Sequence, residues 1–183
     1  TGVLLVISRM ILKMMNRVSK PALAGLWPSK KDMTVVLDLG ANIECDENNL
    51  VDFSEMGAAL YKSIFPNKKP YVSLLNIGSE EVKGTDIIKK AHSKLKSLSS
   101  DNNFIFNGYI EGNKIMDGNS NVIVTDGFSG NIALKTAEGT AKFITDSLKE
   151  ALSDSIFSKI SIIFSYFSLR RFKSKLDPRK YNG

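Results

Sequence analysis

Cysteine, histidine and tryptophan each occur once in this sequence, and the absences narrow its chemistry. A lone thiol, Cys45, cannot build an internal disulfide framework, and such cysteine usage suits a reducing compartment. It precedes an acidic stretch, so it is read as a buried or idle thiol rather than a nucleophile. One histidine with one cysteine falls short of a zinc ligand set, so no metal is expected. His92 sits among Lys89, Lys90 and Lys94 on a predicted helix and is read as a solvated surface residue. No G-x-G-x-x-G turn follows a strand, which argues against a nicotinamide-dependent dehydrogenase. Gly127-Phe-Ser-Gly130 is not G-x-S-x-G, which argues against a serine esterase. Long apolar runs are missing too. The first helix carries Val3, Leu4, Ile7, Ile11 and Met14 on one face, but Arg9 and Lys13 interrupt it. It is too short and too charged to cross a bilayer, and no signal peptide is read.

What is present is ordinary for a globular protein. Apolar residues make up 43% and charged residues 24% of the 183, enough for one real core and a single domain over 1–183. The formal net charge of +6 lies largely after Leu169, in Arg170, Arg171, Lys173, Lys175, Arg179 and Lys180. A nucleic-acid partner would need a basic face interleaved with aromatics, and none is expected here. The chain opens at Thr1 inside a helical pattern and closes just after Pro178, so both ends are expected to be cuts in a longer protein.

Periodicity orders the elements. Pro21 and Pro28 bracket a connector holding Trp27, and Val35-Val-Leu-Asp-Leu39 reads as a buried strand ending in Gly40-Ala-Asn42. Leu50, Phe53, Met56, Leu60 and Ile64 follow at helical spacing. Tyr71–Ile77 is the next strand, running into Gly78-Ser-Glu-Glu-Val-Lys-Gly84. Thr85 caps a helix with Ile88, Ala91, Leu95 and Leu98 inward. Phe104-Ile-Phe106 is a short strand, followed by Gly108-Tyr-Ile-Glu-Gly112 and a brief helical turn. Val122-Ile-Val-Thr125 is the central strand, and a glycine-punctuated turn, Asp126–Asn131, leads to a helix with Leu134, Ala137, Ala141, Ile144 and Leu148 on one face. The order β-α-β-α-β-β-α implies a mostly parallel sheet between helices, a three-layer α/β/α fold.

Ligands of such sheets gather beyond the carboxyl ends of the strands. Those ends carry Asp38, Gly40 and Asn42; Asn76, Gly78 and Lys83; Glu111 and Gly112; and Asp126, Gly127, Gly130 and Asn131. Loop chemistry alone also places Gly, Asn and Asp at strand ends, and a glycine-rich βα turn has a purely structural reading. Its functional reading is a helix N-terminus stabilising an anion or an oxyanion, with N–H groups near Gly130 as donors. Lys83 is the only cation of the set; it suits a phosphate, or it pairs with Glu80 or Glu81.

Four ordered segments match one family. Leu37-Asp-Leu-Gly-Ala-Asn42, Leu74-Leu-Asn-Ile-Gly78 with Glu80-Glu-Val-Lys-Gly84, Phe106-Asn-Gly-Tyr-Ile-Glu-Gly112 and Asp126–Gly139 resemble the phosphate acyltransferases of bacterial phospholipid synthesis, the PlsX family. The likeness covers nearly the whole chain. It implies an isopropylmalate dehydrogenase-like fold, here incomplete at its N-terminal side. It implies transfer of an acyl group from acyl carrier protein to inorganic phosphate, giving acyl phosphate, with no cofactor. It further implies a homodimer in the cytoplasm, peripherally associated with the inner face of the membrane. By motif, Lys83 and Asn131 match residues held to be catalytic in that family, and Asp126 and Gly127 lie beside them. Asn42, Asn76, Gly78, Glu111, Asp126, Gly127 and Gly130 are the substrate-binding candidates. Family members are about twice this long and carry a phosphate-contacting segment absent here, so the chain alone is expected to be inactive. A phosphotransacetylase-like enzyme using coenzyme A and a non-catalytic docking fragment are the alternatives.

Residues 153–175 read as a hydrophobic and basic helical segment for membrane or dimer contact. Ile156, Ile160, Ile163, Phe164 and Phe167 make a stripe, with serines on much of the other side. Read from the residues alone this is an ordinary core helix; the resemblance favours a membrane-facing or dimer-facing one.

Overall fold

The computed structural model describes residues 2–14, 16–98, 104–153 and 165–172. The chain divides into two compact units, Thr1–Ile132 and Ala133–Gly183. In the first, helix α1 (Gly2–Leu12) precedes strands β1 (Ala24–Pro28) and β2 (Met33–Leu37), helix α2 (Glu47–Ile64) and strand β3 (Tyr71–Asn76). Helix α3 (Asp86–Leu98), strand β4 (Ile105–Glu111), a 3-10 turn (Gly112–Asp117) and strand β5 (Val122–Val124) follow. Helix α4 (Gly127–Ser153) starts in the first unit and runs through the second. Residues 165–172 of the second unit are helical.

One five-stranded sheet runs in the order β1-β2-β5-β3-β4. β2, β5, β3 and β4 are mutually parallel, and β1 is antiparallel to β2. The β-branched centre explains the register: Val35, Val36, Val122, Ile123 and Val124 are all buried, as strands covered on both faces require. Val35, Leu37, Val72, Leu74, Val122 and Val124 share one core with Leu50, Phe53 and Tyr61 of α2 and Ala91 and Leu95 of α3.

Helix α2 sets the geometry of that core. Asp46 and Asn49 close its N-terminus with a reciprocal capping box, Asn49 N–H donating to Asp46 Oδ1 at 2.8 Å and Asp46 N–H to Asn49 Oδ1 at 3.1 Å. Leu50, Phe53, Ser54, Gly57, Ala58 and Tyr61 are buried, whereas Leu60 and Ile64 are exposed. The inward stripe therefore ends on Tyr61 rather than on the two aliphatics expected from spacing. At Gly57 an added Cβ would lie 2.6 Å from Val122 Cγ1, so the missing side chain lets α2 sit directly on the sheet.

Two elements differ from the sequence reading. The Trp27 segment is the edge strand β1 rather than a connector, because its last residue, Pro28, can end an edge strand without interrupting the ladder. β4 is longer than Phe104–Phe106, because Gly108 at φ +76° absorbs a register shift between Val72 and Leu74 and the strand then resumes.

Candidate functional site

The four parallel strands bring their carboxyl ends to one rim. There the 43–46 segment, the 77–85 loop, Glu111 and the α4 N-terminus meet an open cavity of about 1240 Å³. Asn76, Glu111 and Asp126 line it, as do Gly84, Gly112 and Ser129.

The start of α4 is built by its own sequence. Asp126 accepts from Ser129 N–H at 2.8 Å through Oδ1 and from Ser129 Oγ at 2.9 Å through Oδ2. That is an N-cap, and it moves the helix start forward to Gly127. Gly127 N–H donates to Asn42 C=O at 2.8 Å, and Gly130 N–H to Asp126 C=O at 2.9 Å. A Cβ at Gly130 would stand 1.9 Å from Asp38 C=O, and one at Gly127 would stand 2.5 Å from Asn42 C=O. Both glycines therefore permit backbone-to-backbone approach. The expectation that N–H groups near Gly130 hold a free anion is corrected. Those at Gly127, Ser129 and Gly130 are engaged, and the Asp126 carboxylate already occupies the positive end of the helix.

The 38–42 loop is organised around a buried carboxylate. Asp38, 0% exposed, accepts from the N–H groups of Leu23 (3.0 Å), Gly40 (3.2 Å), Ala41 (2.9 Å) and Asn42 (2.8 Å) and from Asn42 Nδ2 (2.8 Å). Asn42 Nδ2 also donates to Pro21 C=O at 2.6 Å. The amide nitrogen of Asn42 is thus committed to the loop.

Asn76 does comparable work on the other side of β5. It is 6% exposed, and its Nδ2 donates to Lys83 C=O at 3.1 Å. Its Oδ1 meets Gly84, where a Cβ would come within 2.3 Å and where φ is +93°. The 77–84 turn is therefore pinned by Asn76. Gly78 is buried beneath the turn, with Lys83 Cγ 3.1 Å from where its Cβ would be.

Lys83 and Asn131 are both exposed. Among the described residues Lys83 makes no ion pair; Glu81 instead pairs with Lys96 at 3.0 Å. The Asn131 amide has no hydrogen-bond partner among the described residues and stacks over Gly40, whose Cβ would lie 3.4 Å from Asn131 Cγ. Neither side chain lines the cavity. Asn131 lies beside the β2 loop and Lys83 beside the β3 loop, with β5 between. Two strand spacings, on the order of 10 Å, separate those loops.

The cavity carries four carboxylates, Glu44, Asp46, Glu111 and Asp126, against one ammonium, Lys20. Glu111 is paired with Lys114 at 2.8 Å, which holds the lysine above its ordinary range. Cys45 also lines the cavity; burial pushes its thiol up, the opposite of an activated nucleophile. His92 is not a solvated surface residue: its ring packs 4.5 Å from Tyr109 and 5.2 Å from Phe106, and burial lowers its pKa. Ile156, Ile160, Ile163 and Phe164 lie outside the described residues, whereas Phe167 is 81% exposed. No described helix is long and apolar enough to cross a membrane.

A family model described as fatty acid synthesis protein matches residues 1–183. The chain belongs to that family. A protein named phosphate acyltransferase from Pelagibacter ubique is 57% identical over 183 residues, all of this chain and 55% of that protein. Proteins of the same name from Paramagnetospirillum magneticum and Brucella abortus are 44% and 45% identical over the whole chain, which covers 52% and 53% of them. This family member thus spans about half the length of the curated relatives it matches. Among solved structures, the EutD phosphotransacetylase of Staphylococcus aureus superposes with a TM-score of 0.58 at 18% identity, over 74% of this chain and 46% of that one. A phosphotransacetylase from Streptococcus pyogenes gives 0.54 at 18% identity, over 71% and 44%. These likenesses show the fold.

Proposed function

We propose that this chain is part of an acyltransferase that moves a fatty acyl group from acyl carrier protein to inorganic phosphate. The observation that carries the reading is 57% identity, along the entire chain, to a protein named phosphate acyltransferase. A phosphate oxygen attacks the thioester carbonyl carbon and forms the new C–O bond. The tetrahedral oxyanion then collapses, the C–S bond breaks, and the carrier thiol leaves with a proton. Phosphate is itself the nucleophile, so no activated serine or cysteine takes part.

Lys83, held in its turn by Asn76, neutralises the phosphate. Asn131, whose amide is uncommitted, donates to the oxyanion. A separation on the order of 10 Å between their loops suits this division of labour. One hydrogen bond of about 3 Å at each end leaves room for the reacting phosphate and carbonyl between them. Phosphate sits at the Lys83 end of the rim, outside the cavity, whose lining holds one ammonium, Lys20. The remaining partners of the reading are a second copy of the protein and the inner surface of the cell membrane, met by the segment around Phe167.

The test is acyl transfer to phosphate by the complete protein, with acyl carrier protein and coenzyme A thioesters supplied in turn. Lys83→Ala and Asn131→Ala should each cut turnover by roughly 100-fold or more, the scale of a lost oxyanion donor. Near-normal turnover in both variants removes them from the mechanism. Transfer from coenzyme A alone moves the chain to the phosphotransacetylase reaction, and transfer from neither leaves a docking fragment. The chain of 183 residues by itself should show no turnover.

A further inference from the structure

At the opposite end of the sheet, where the parallel strands begin, the first unit holds a second concavity of about 340 Å³. Lys31, Asp32, Tyr61, Lys68, Asn107 and Asn119 are among its lining. That volume falls in the range of small-ligand sites, roughly 300–1,000 Å³. β3 runs six residues from this end toward the reacting rim, so about 20 Å separates the two. The walls are preformed. Lys30 pairs with Asp117 at 2.7 Å and its N–H donates to Met116 C=O at 2.8 Å, tying the 29–32 turn to the 116–121 segment. Gly118, at φ +74°, lets the two close, since a Cβ there would stand 2.9 Å from Ser29 Oγ and 3.0 Å from Lys31 Cβ. Thr34 and Tyr61, both buried, form the floor, and the Asn121 side chain hydrogen-bonds the Tyr61 hydroxyl.

The positive charge of this concavity is only partly compensated. Two ammonium groups meet one carboxylate: Lys68 pairs with Asp32, whereas Lys31 donates at 3.0 Å to the neutral Asn119 Oδ1. Asn107 Nδ2 donates to Asn119 C=O at 3.2 Å, and the Asn119 amide nitrogen has no hydrogen-bond partner among the described residues. A lysine ammonium is a point-charge ligand for phosphate, and an amide N–H₂ beside it adds a directed donor. Hydroxyl groups, which donate and accept, match the remaining amides. We infer that this concavity is a second binding site, for a small phosphorylated polyol. The phosphate meets Lys31 and the Asn119 amide, and the hydroxylated body meets Asn107 and Asn121. The site does not rest on the acyl-transfer reading.

The experiment is calorimetric titration of the 183-residue chain with ribose 5-phosphate, ribose and inorganic phosphate in turn. Ribose 5-phosphate should bind roughly tenfold or more tighter than either part, as loss of the hydrogen bonds of one part predicts. Its Kd should rise with salt, and that of ribose should not. Lys31→Gln and Asn119→Asp, both at exposed positions, should each weaken ribose 5-phosphate by roughly tenfold or more while melting temperature stays unchanged. Lys83→Ala should leave that Kd as it is. No saturable binding at millimolar ligand overturns the inference, as does a Kd that neither pocket variant moves. Binding lost in Lys83→Ala and kept in Lys31→Gln would put the ligand at the reacting rim and equally overturn it. Equal affinity for ribose 5-phosphate and inorganic phosphate would reduce the site to an anion contact and overturn the ligand class. No turnover is read, so failure of the acyl-transfer reading and failure of this site are separable.

Discussion

Asp38 shows how residue type alone misleads about a site. A carboxylate at a strand end, followed by Gly and Asn, has the look of a ligand group. In the folded chain all its acceptor capacity is spent on Leu23, Gly40, Ala41 and Asn42. A buried charge persists only with such compensation. Asp38→Asn keeps the shape but turns an amide N–H₂ toward donors that need an acceptor. It should destabilise the protein by about 2 kcal/mol or more in urea unfolding. An unchanged midpoint would mean that the carboxylate is dispensable. Asn76 is comparable, an amide legible as a site residue whose hydrogen bond goes to the turn bearing Lys83. Lys83 and Asn131 are candidates through the family motif alone, and in the folded chain both are exposed. The exposure of Ile43 and Ile77 was not legible, since a single aliphatic residue in a loop carries no period to detect.

Elements were legible where one interaction dominates. Continuous β-branched runs marked β2 and β5, and spacing marked α2 and α3. β1 was not legible, because Ala-Gly-Leu-Trp-Pro has neither alternation nor branched residues, and its strand state comes from pairing with β2. The α2–sheet contact depends on a glycine that propensity alone disfavours. Gly57→Val would push two methyl groups toward Val122 and Leu37 and should cost about 1–3 kcal/mol by overpacking, measured by thermal or urea unfolding. A stabilised variant would show that α2 can lift off the sheet freely. On α3, His92 is held with its pKa below the ordinary value by burial against β4, with Glu81 opposing and Lys96 reinforcing the shift. Its folded-state pKa is therefore lower than its unfolded one, near 6.5. As pH falls through about 6.5, the unfolded chain takes up a proton that the folded chain resists, so stability declines. Melting temperature should drop between pH 7.5 and 5.5, and His92→Gln should flatten that drop; an equal drop in the variant would assign it to other groups.

At the scale of the whole molecule, the sequence supports parallel strands and a shared rim, but not the order β1-β2-β5-β3-β4. Strand order depends on which crossover packs over which neighbour, and no local pattern encodes that. Inserting β5 between β2 and β3 sets the 38–42 and 77–84 loops two strand spacings apart. The second unit poses a different problem, since its described helix at 165–172 presents Tyr166, Phe167 and Phe172 to solvent beside Arg170 and Arg171. Exposed aromatics next to arginines suit the interface of an anionic leaflet, where the rings insert and the guanidinium groups meet headgroups. Each basic residue near such a surface is worth about 1 kcal/mol, and a buried phenylalanine about 1.5–3 kcal/mol. Phe167→Asp should therefore lower the partition coefficient onto phosphatidylglycerol-rich vesicles by roughly tenfold or more in a sedimentation assay. Arg170→Gln with Arg171→Gln should weaken binding by a similar factor and reduce its sensitivity to salt, because screening acts on the charges and not on the ring. Equal sedimentation with zwitterionic vesicles, or binding that neither change disturbs, would leave these aromatics to a protein contact.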